Sequence, residues 1–379
     1  MSLYVYYGKD GIKHIILNGE LDTREKFLRL IDCLQDSMGL SYITFKDNHM
    51  LPADIIDVLH SMQQRNKVKI FVLKPYLYSY LYRLGIFSYY VSGKHILGSS
   101  KIGQEAIKSS DMNQWEVGDF LEEIYHCYGY NYTRYQRDSI LRRIKICMLK
   151  ESIKDFSYFR KAVLEDEGLF ERLFLEFSIN VTNFFRDPQV FSAIREKVLP
   201  KLQSFPYIRI WCAGCSSGQE AYSIAILLKE LDMLEKVQIY ATDINPYVLD
   251  EAENGLYSLN EIKKDIENYR EAKGQGSFMD YFYLKEGYME VIPEIKKKVL
   301  FFQHNLVDNG ILEGFHLILC RNVLIYFDKD LQKNILRSFY HSLNEDGFLI
   351  LGSSETIFCK EEDKNFYPYD MECKIFKRA

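Results

Sequence analysis

No stretch of this 379-residue chain stays apolar for the ~20 residues that a membrane span requires. The N-terminal MSLYVYYGKDGIKH also lacks an apolar core of signal-peptide length. A cytoplasmic protein with no membrane insertion is therefore expected. Cysteine is sparse: Cys33, Cys127, Cys147, Cys212, Cys215, Cys320, Cys359 and Cys373 are scattered along the chain, unlike the dense framework of a small disulfide-rich domain. Reduced, mostly buried thiols follow. The charge is nearly balanced, at −5 net, and this excludes no class of partner by itself. Internal repeats and low-complexity tracts are lacking as well.

What is present is globular. Hydrophobic residues make up 47% and charged residues 27%, and the length suits two or three domains. Residues 3–18 read as two strands around Lys9-Asp10-Gly11. Helical patterns at 22–38, 52–64 and 76–84 alternate with strands SYITF (41–45) and KIFVL (69–73), which makes residues 1–92 a small α/β domain. Residues 93–112, rich in Ser, Gly and Lys, read as a linker, and 113–178 as helical throughout. From 179 to 379 strands alternate with helices, the pattern of a doubly wound parallel sheet, with a tail strand near 373–377.

Ile208–Ser223, IRIWCAGCSSGQEAYS, reads as strand, loop and helix. Gly214 and Gly218 let the backbone turn and approach a ligand, and the helix start offers free N–H groups. Asp243, 25 residues after Gly218, ends the next strand, where an acid can bind ribose hydroxyls. The loop is neither Gly-x-Gly-x-x-Gly nor Gly-x-x-x-x-Gly-Lys-Ser/Thr. Glu220 would repel a phosphate and suit an ammonium group. S-adenosylmethionine, with ribose, ammonium and sulfonium, fits this spacing better than a phosphate-rich nucleotide; an ordinary strand-to-helix turn with a surface acid is the alternative. Cys212 and Cys215 have no second Cys-x-x-Cys to complete a zinc site, so no metal is expected; the two read as small thiols packing a strand end, with a thioredoxin-type redox pair as the alternative.

Two other segments stand out. INVTNFFRDPQVF (179–191) sets polar residues beside two aromatics. YGYNYTRYQRDSILRRIKICMLK (128–150) carries Arg134, Arg137, Arg142, Arg143, Lys145 and Lys150 against one acid, Asp138. That is either a solvated helix face or a docking surface for an acidic partner. No aromatic-basic motif accompanies it, so nucleic acid is not the expected partner.

From about 113 to 379 the chain resembles the CheR-type chemotaxis receptor methyltransferases. INVTNFFRDPQVF is similar to that family's Asn-x-Thr-x-Phe-Phe-Arg signature, WCAGCSSGQEAYSIA to its cofactor loop, and YATDINPYVLDEAENGLY to the strand with the ribose-binding acid. HNLVD, CRNVLIYFDKDLQ and LNEDGFLILGSSE match further blocks in order. The resemblance implies a class I S-adenosylmethionine-dependent methyltransferase fold preceded by an all-α, receptor-facing subdomain. It implies cofactor contacts at Asn180, Thr182, Arg186, Glu220, Asp243, Asn305, Leu306, Asn322 and Val323, with Arg186 and Tyr326 near the transferring methyl group. It departs from the family at Gln219 and Ala221, where the family usually has Glu and Pro. The implied reaction methylates glutamate side chains in the cytoplasmic helical domain of chemoreceptors and releases S-adenosylhomocysteine. A methyltransferase of another substrate, and a cofactor-binding scaffold with little activity, remain alternatives.

Some family members grip a receptor's C-terminal pentapeptide through an insertion in a small β subdomain. The matching stretch here, near 281–302, is compact, so no such tether is expected. Residues 1–92 resemble the anti-sigma-factor antagonist (STAS) fold through GELD (19–22), SYITFKD and KIFVLKPYLYSYLYRLGI, which implies a signalling-protein partner. The stretch MLPADII (50–56), where that family often has a phosphorylatable Ser, holds no Ser or Thr.

Overall fold

The computed structural model describes residues 2–7, 12–18, 24–35, 40–46, 51, 53–65, 67–73, 77, 81, 84, 86, 88–92, 95–98, 114–178, 182–259, 262–285, 287–307, 310–357 and 365–379. They form two compact units, one within residues 1–127, 141–179 and 284–288, the other within 128–140, 180–283 and 289–379.

The first unit opens with β1 (Ser2–Tyr7), β2 (Lys13–Asn18), α1 (Arg24–Gln35), β3 (Ser41–Phe45), α2 (Ala53–Gln64), β4 (Val68–Val72), β5 (Ser88–Ser92) and β6 (His95–Gly98). The strands form a six-stranded sheet in sequence order. β2 to β5 pair in parallel, while β1 and β6 pair antiparallel at the two edges. Strand period two explains β3, where Ser41, Ile43 and Phe45 are buried and Tyr42 and Thr44 are not. Leu30 and Leu34 on α1, and Ile55 and Leu59 on α2, are buried one helical turn apart. The expected turn at Lys9–Gly11, the GELD stretch, and most of the 76–84 helix lie outside the described residues. β6 falls within the stretch read as a linker.

Four helices follow: α3 (Gln114–Tyr128), α4 (Arg137–Lys150), α5 (Phe156–Glu165) and α6 (Glu167–Phe177). Asp155 caps α5 by accepting from the N–H of Tyr158, and Asp166 caps α6 by accepting from the N–H of Gly168. The expected all-helical run is interrupted at 129–136, which is not helical.

The second unit is built on β7 (Ile208–Ala213), β8 (Val237–Asp243), β12 (Val299–Gln303), β13 (Phe315–Cys320), β14 (Leu343–Leu351), β15 (Phe366–Asp370) and β16 (Ile375–Arg378). Their order is β12-β8-β7-β13-β14-β16-β15. The first five strands are parallel; β16 runs antiparallel to β14, and β15 to β16. The sheet is therefore mixed, and the tail closes it as a hairpin, one strand more than the pattern foretold. Between them lie α7 (Pro188–Ala193), α8 (Gln219–Glu230), α9 (Pro246–Asn254), α10 (Ile262–Glu271) and α11 (Lys329–Ser342).

Strands buried on both faces read as near-continuous apolar runs. All six residues of β13 are buried. Alternate residues feed two cores: Ile208, Ile210, Cys212, Leu317 and Leu319 enter one, Trp211, Ala213, Ile318 and Cys320 the other. A second sheet, order β10-β11-β9, comprises β9 (Leu256–Ser258), β10 (Phe282–Lys285) and β11 (Tyr288–Val291). The small β insertion thus starts earlier than residue 281, and Val299–Gln303 belongs to the main sheet.

Candidate active site

In open α/β sheets, ligands sit outside the carboxyl ends of the strands, where the strand order reverses. Here that point lies between β7 and β13. The chain leaves β7 at Gly214, β8 at Asp243, β12 at His304-Asn305 and β13 at Arg321-Asn322. Residues far apart in sequence therefore meet at one edge of the sheet.

The loop after β7 is anchored by Gly214 and Cys215, whose N–H groups both donate to the carbonyl of Thr242 at 2.7 and 2.8 Å. Gly214 has φ +78°, and a Cβ there would stand 2.4 Å from Val323 Cγ2. Gly218 has φ +90°, and its Cβ would meet Ala252 at 2.8 Å. Both glycines are required by space as well as by backbone angle. Ser216 is also left-handed, at φ +50°, and its buried Oγ has no hydrogen-bond partner. Left-handed non-glycine residues recur at Phe185, Asp187 and Asn322. Such strain persists only where the surroundings over-determine it, and it clusters at ligand clamps.

Asp243 receives the N–H of Ser216 at 2.9 Å and that of Asn245 at 3.0 Å. Burial pushes its carboxyl above the ordinary range, although these backbone N–H groups oppose the shift. Glu220, in the first turn of α8, is likewise raised by burial, with Arg321 and Arg186 pulling the other way. Arg321 Nη1 donates to Glu220 Oε2 at 2.8 Å, and Nη2 donates to Asp187 Oδ2 at 2.7 Å and to the carbonyl of Arg186 at 2.9 Å.

The turn bearing Arg186 is held from two helices. The N–H of Phe184 donates to Asp265 Oδ1 on α10, and that of Phe185 to Ser223 Oγ on α8. Phe184 and Phe185 are buried, so the two aromatics in the motif are packing residues, and Arg186 beside them is half-buried. Thr182 is half-buried just before the turn; Asn180 lies outside the described residues.

On the far wall, Glu355 is 5% exposed and accepts four backbone N–H groups, from Gly352 (2.5 Å), Asn322 (3.0 Å), Val323 (2.9 Å) and Ile325 (3.3 Å). It fixes the loop that carries Tyr326. Residues 129–136 brace the same loop. Gln136 N–H donates to the carbonyl of Tyr326 at 2.7 Å, and Arg134 forms a forked pair with Asp328 at 2.6 and 3.0 Å. Asn305 Oδ1 accepts the N–H of Val307 at 3.0 Å, and Leu306, Val323 and Tyr326 are partly buried against the same core.

Gly214, Gly218, Glu220, Asp243, Asn305, Leu306, Asn322 and Val323 thus sit on the loops at the carboxyl ends of the central strands, with Arg186 on the turn bonded to Arg321. The basic stretch does not behave as one patch. Arg134 is engaged with Asp328, Arg137 and Arg142 are exposed, and Arg143 and Lys145 are half-buried. Arg321, Glu355 and Ser216 were not among the candidates. All three stand inside quoted blocks, but Arg321 is 101 residues from Glu220, a pairing that local spacing cannot reveal.

The donor set fits S-adenosylmethionine. A cleared glycine cradle, a half-buried acid at the end of β8, a half-buried acid at a helix start and an unfilled hydroxyl suit ribose and ammonium groups and disfavour phosphate. Glu220 would hold the ammonium, Asp243 the ribose.

Cys212 and Cys215 are buried, and burial pushes both thiols well above their ordinary range, with Glu220 and Asp243 adding to it. Neither is a ready thiolate. In a native-state thiol titration, exposed Cys127 should react before the other thiols of the described residues, and these two only on unfolding. Fast labelling of either would reopen thiol chemistry here. Among the described residues, no cluster of three or more His, Cys, Asp or Glu could hold a metal ion.

Two family models match the chain: "CheR methyltransferase, all-alpha domain" over residues 116–178 and "CheR methyltransferase, SAM binding domain" over 180–373. A methyltransferase named Cher3 from Pseudomonas putida is 39% identical over 264 residues, 70% of this chain and 97% of that one. A chemotaxis protein methyltransferase from Borreliella burgdorferi is 34% identical, covering 64% of this chain and 88% of that one. One from Listeria innocua is 32% identical, covering 60% and 85%.

Proposed function

Since the chain belongs to the CheR methyltransferase family, with S-adenosylmethionine as its cofactor, we propose that it methylates glutamate side chains in the cytoplasmic helical domain of chemoreceptors. The observation that carries this reading is that Arg321 ties Glu220 to the turn bearing Arg186, while Asp243 anchors the glycine loop through the N–H of Ser216. One cation there can orient an anionic side chain, and two acids can hold a cationic cofactor.

The cofactor supplies a methyl group on a cationic sulfur. A glutamate carboxylate is already ionised at neutral pH, so no side chain need act as a general base. An O–C bond forms as the S–C bond breaks, and the electron pair stays on sulfur. Arg186 orients the attacking carboxylate through charge-assisted hydrogen bonds. Tyr326, set by the loop that Glu355 fixes, faces the sulfonium or bonds the substrate. Alignment and exclusion of water do the rest. The test is transfer of a tritiated methyl group to purified cytoplasmic receptor fragments, with base-labile counts expected of a carboxyl ester. Cofactor binding with no transfer would favour a scaffold; counts only in another substrate would move the specificity elsewhere.

The substrate's helical surface is proposed to dock on Arg137, Arg142, Arg143 and Lys145. Reversing Arg142 and Arg143 to Glu should raise KM about tenfold at low salt, with the difference shrinking as salt rises. An unchanged KM would remove the docking idea. β10 and β11 are joined by the two residues Glu286-Gly287, so tight capture of a receptor's C-terminal pentapeptide is not proposed, and micromolar binding in solution would contradict this. Residues 1–92 are proposed to be a STAS-like module that recruits a signalling partner in the cytoplasm. The mixed sheet with parallel β2–β5 supports this. Among the described residues no helix is long and apolar enough to cross a membrane. Equal transfer rates for the full chain and for residues 111–379 are expected; lost transfer from a folded shorter chain would make the module part of the catalytic unit.

A further inference from the structure

The reading above gives no role to one deeply buried charge in the site. The Arg321 side chain is 1% exposed. It follows directly on β13 and reaches three places at once: Glu220 on α8, Asp187, and the carbonyl of Arg186. Its guanidinium carbon lies 5.6 Å from the centre of the Phe191 ring, and its Nε is buried without a partner. The fork is therefore fixed in plane and in rotation. One arm ends on the acid proposed to hold the cofactor's ammonium, the other on the turn that carries Arg186.

We infer that Arg321 is a positioning residue for methyl transfer, which keeps Glu220 anionic with one arm and fixes the Arg186–Asp187 turn with the other. This rests on the roles given above to Glu220 and Arg186. The groups acting on Glu220 come from four elements. Arg321 and Arg186 favour its charge, Glu355 opposes it, and the thiols of Cys212, Cys215 and Cys320 stay neutral through burial. Without Arg321, Glu220 faces Glu355 with Arg186 alone to balance it, and it holds its proton to higher pH. Asp187, left-handed at φ +58°, loses its side-chain anchor at the same time. Lysine can supply the charge but not the fork, because an ammonium is a point donor on a flexible stem.

The two arms can be separated by experiment. S-adenosylmethionine affinity is measured by calorimetry from about pH 5 to about pH 9, and kcat and KM by methyl transfer. Arg321→Met should bind roughly 10–100-fold more weakly at neutral pH and recover part of the loss as pH rises, since Glu220 ionises late. In Glu220→Gln/Arg321→Met no buried charge is left alone, so the fold is secured and the pH dependence should vanish. Arg321→Lys should return the affinity to within about tenfold of wild type while kcat stays at least about tenfold down. An unchanged pH profile in folded Arg321→Met, or a lysine variant that rescues affinity and kcat equally, overturns the inference. If wild type binds cofactor but methylates no receptor fragment, the substrate assignment falls, and the affinity profile alone decides the role of Arg321.

Discussion

Gly214→Ala should weaken S-adenosylmethionine binding by about 100-fold, equivalent to roughly 2.7 kcal/mol. Two costs add up. At φ +78° any Cβ meets the neighbouring carbonyl, a penalty of about 1–2 kcal/mol for an L-residue. The new methyl would also stand 2.4 Å from Val323 Cγ2 and 3.3 Å from Cγ1, so Val323, on the loop fixed by Glu355, must give way by about an ångström to reach ordinary contact. That loop packs directly against Gly214, and it carries Asn322 and Val323, so the movement is felt among the residues proposed to hold the cofactor. Val323→Ala in the same chain removes both Cγ atoms and should restore roughly half of the lost free energy, leaving the backbone strain. Calorimetric titration checks both variants, with a thermal melt as control. Wild-type affinity in Gly214→Ala would mean that this loop is not the cofactor cradle.

Arg186→Ala should lower kcat about 100- to 1,000-fold, the scale set by losing one preorganised charged donor at a reacting centre, with cofactor affinity changing far less. The reason is position. Arg186 follows two buried aromatics whose N–H groups are tied to α10 and α8, and its own carbonyl is tied to Arg321, so its side chain leaves a fixed base. Tyr326→Phe, which removes one hydroxyl, should cost about tenfold. The pH dependence separates this mechanism from acid–base catalysis. A substrate glutamate carboxylate titrates near 4.3, so kcat should be flat across neutral pH. If both variants turned over at the wild-type rate, or a bell-shaped profile centred on neutrality appeared, methyl transfer would be working through other groups.

The strand-loop-helix at 208–230 was readable because its signals are local: an apolar run, two glycines and an acid at a helix start. Asp243 followed from the length of one crossover. The two aromatics at 184–185 had no such reading, because only burial against Tyr257, Tyr269 and Phe278 shows them to be packing. Arg321 and Glu355 were hidden for a related reason. Their partners are backbone N–H groups and acids brought close by strand order, and strand order depends on which edge each crossover takes. In the basic stretch the charge of Arg134 is visible in sequence, but its forked partner 194 residues away is not. The antiparallel tail was half seen: Ile375–Arg378 overlaps the stretch read as a tail strand, whereas the proline in Phe366–Asp370 argues against one until the strand proves to be an edge.

The carboxylate of Glu355 also settles which nucleotides the cleft can admit. Loops at strand ends usually offer free N–H groups to phosphate oxygens. Here Glu355 takes four of them, and Asp243 takes those of Ser216 and Asn245. The protein has, in effect, installed its own anions where a di- or triphosphate would bind. An adenosine carrying a positive tail finds a complementary wall, while the same adenosine carrying phosphates meets spent donors and like charge. Discrimination against the far more abundant adenine nucleotides is thus built into the backbone of the site.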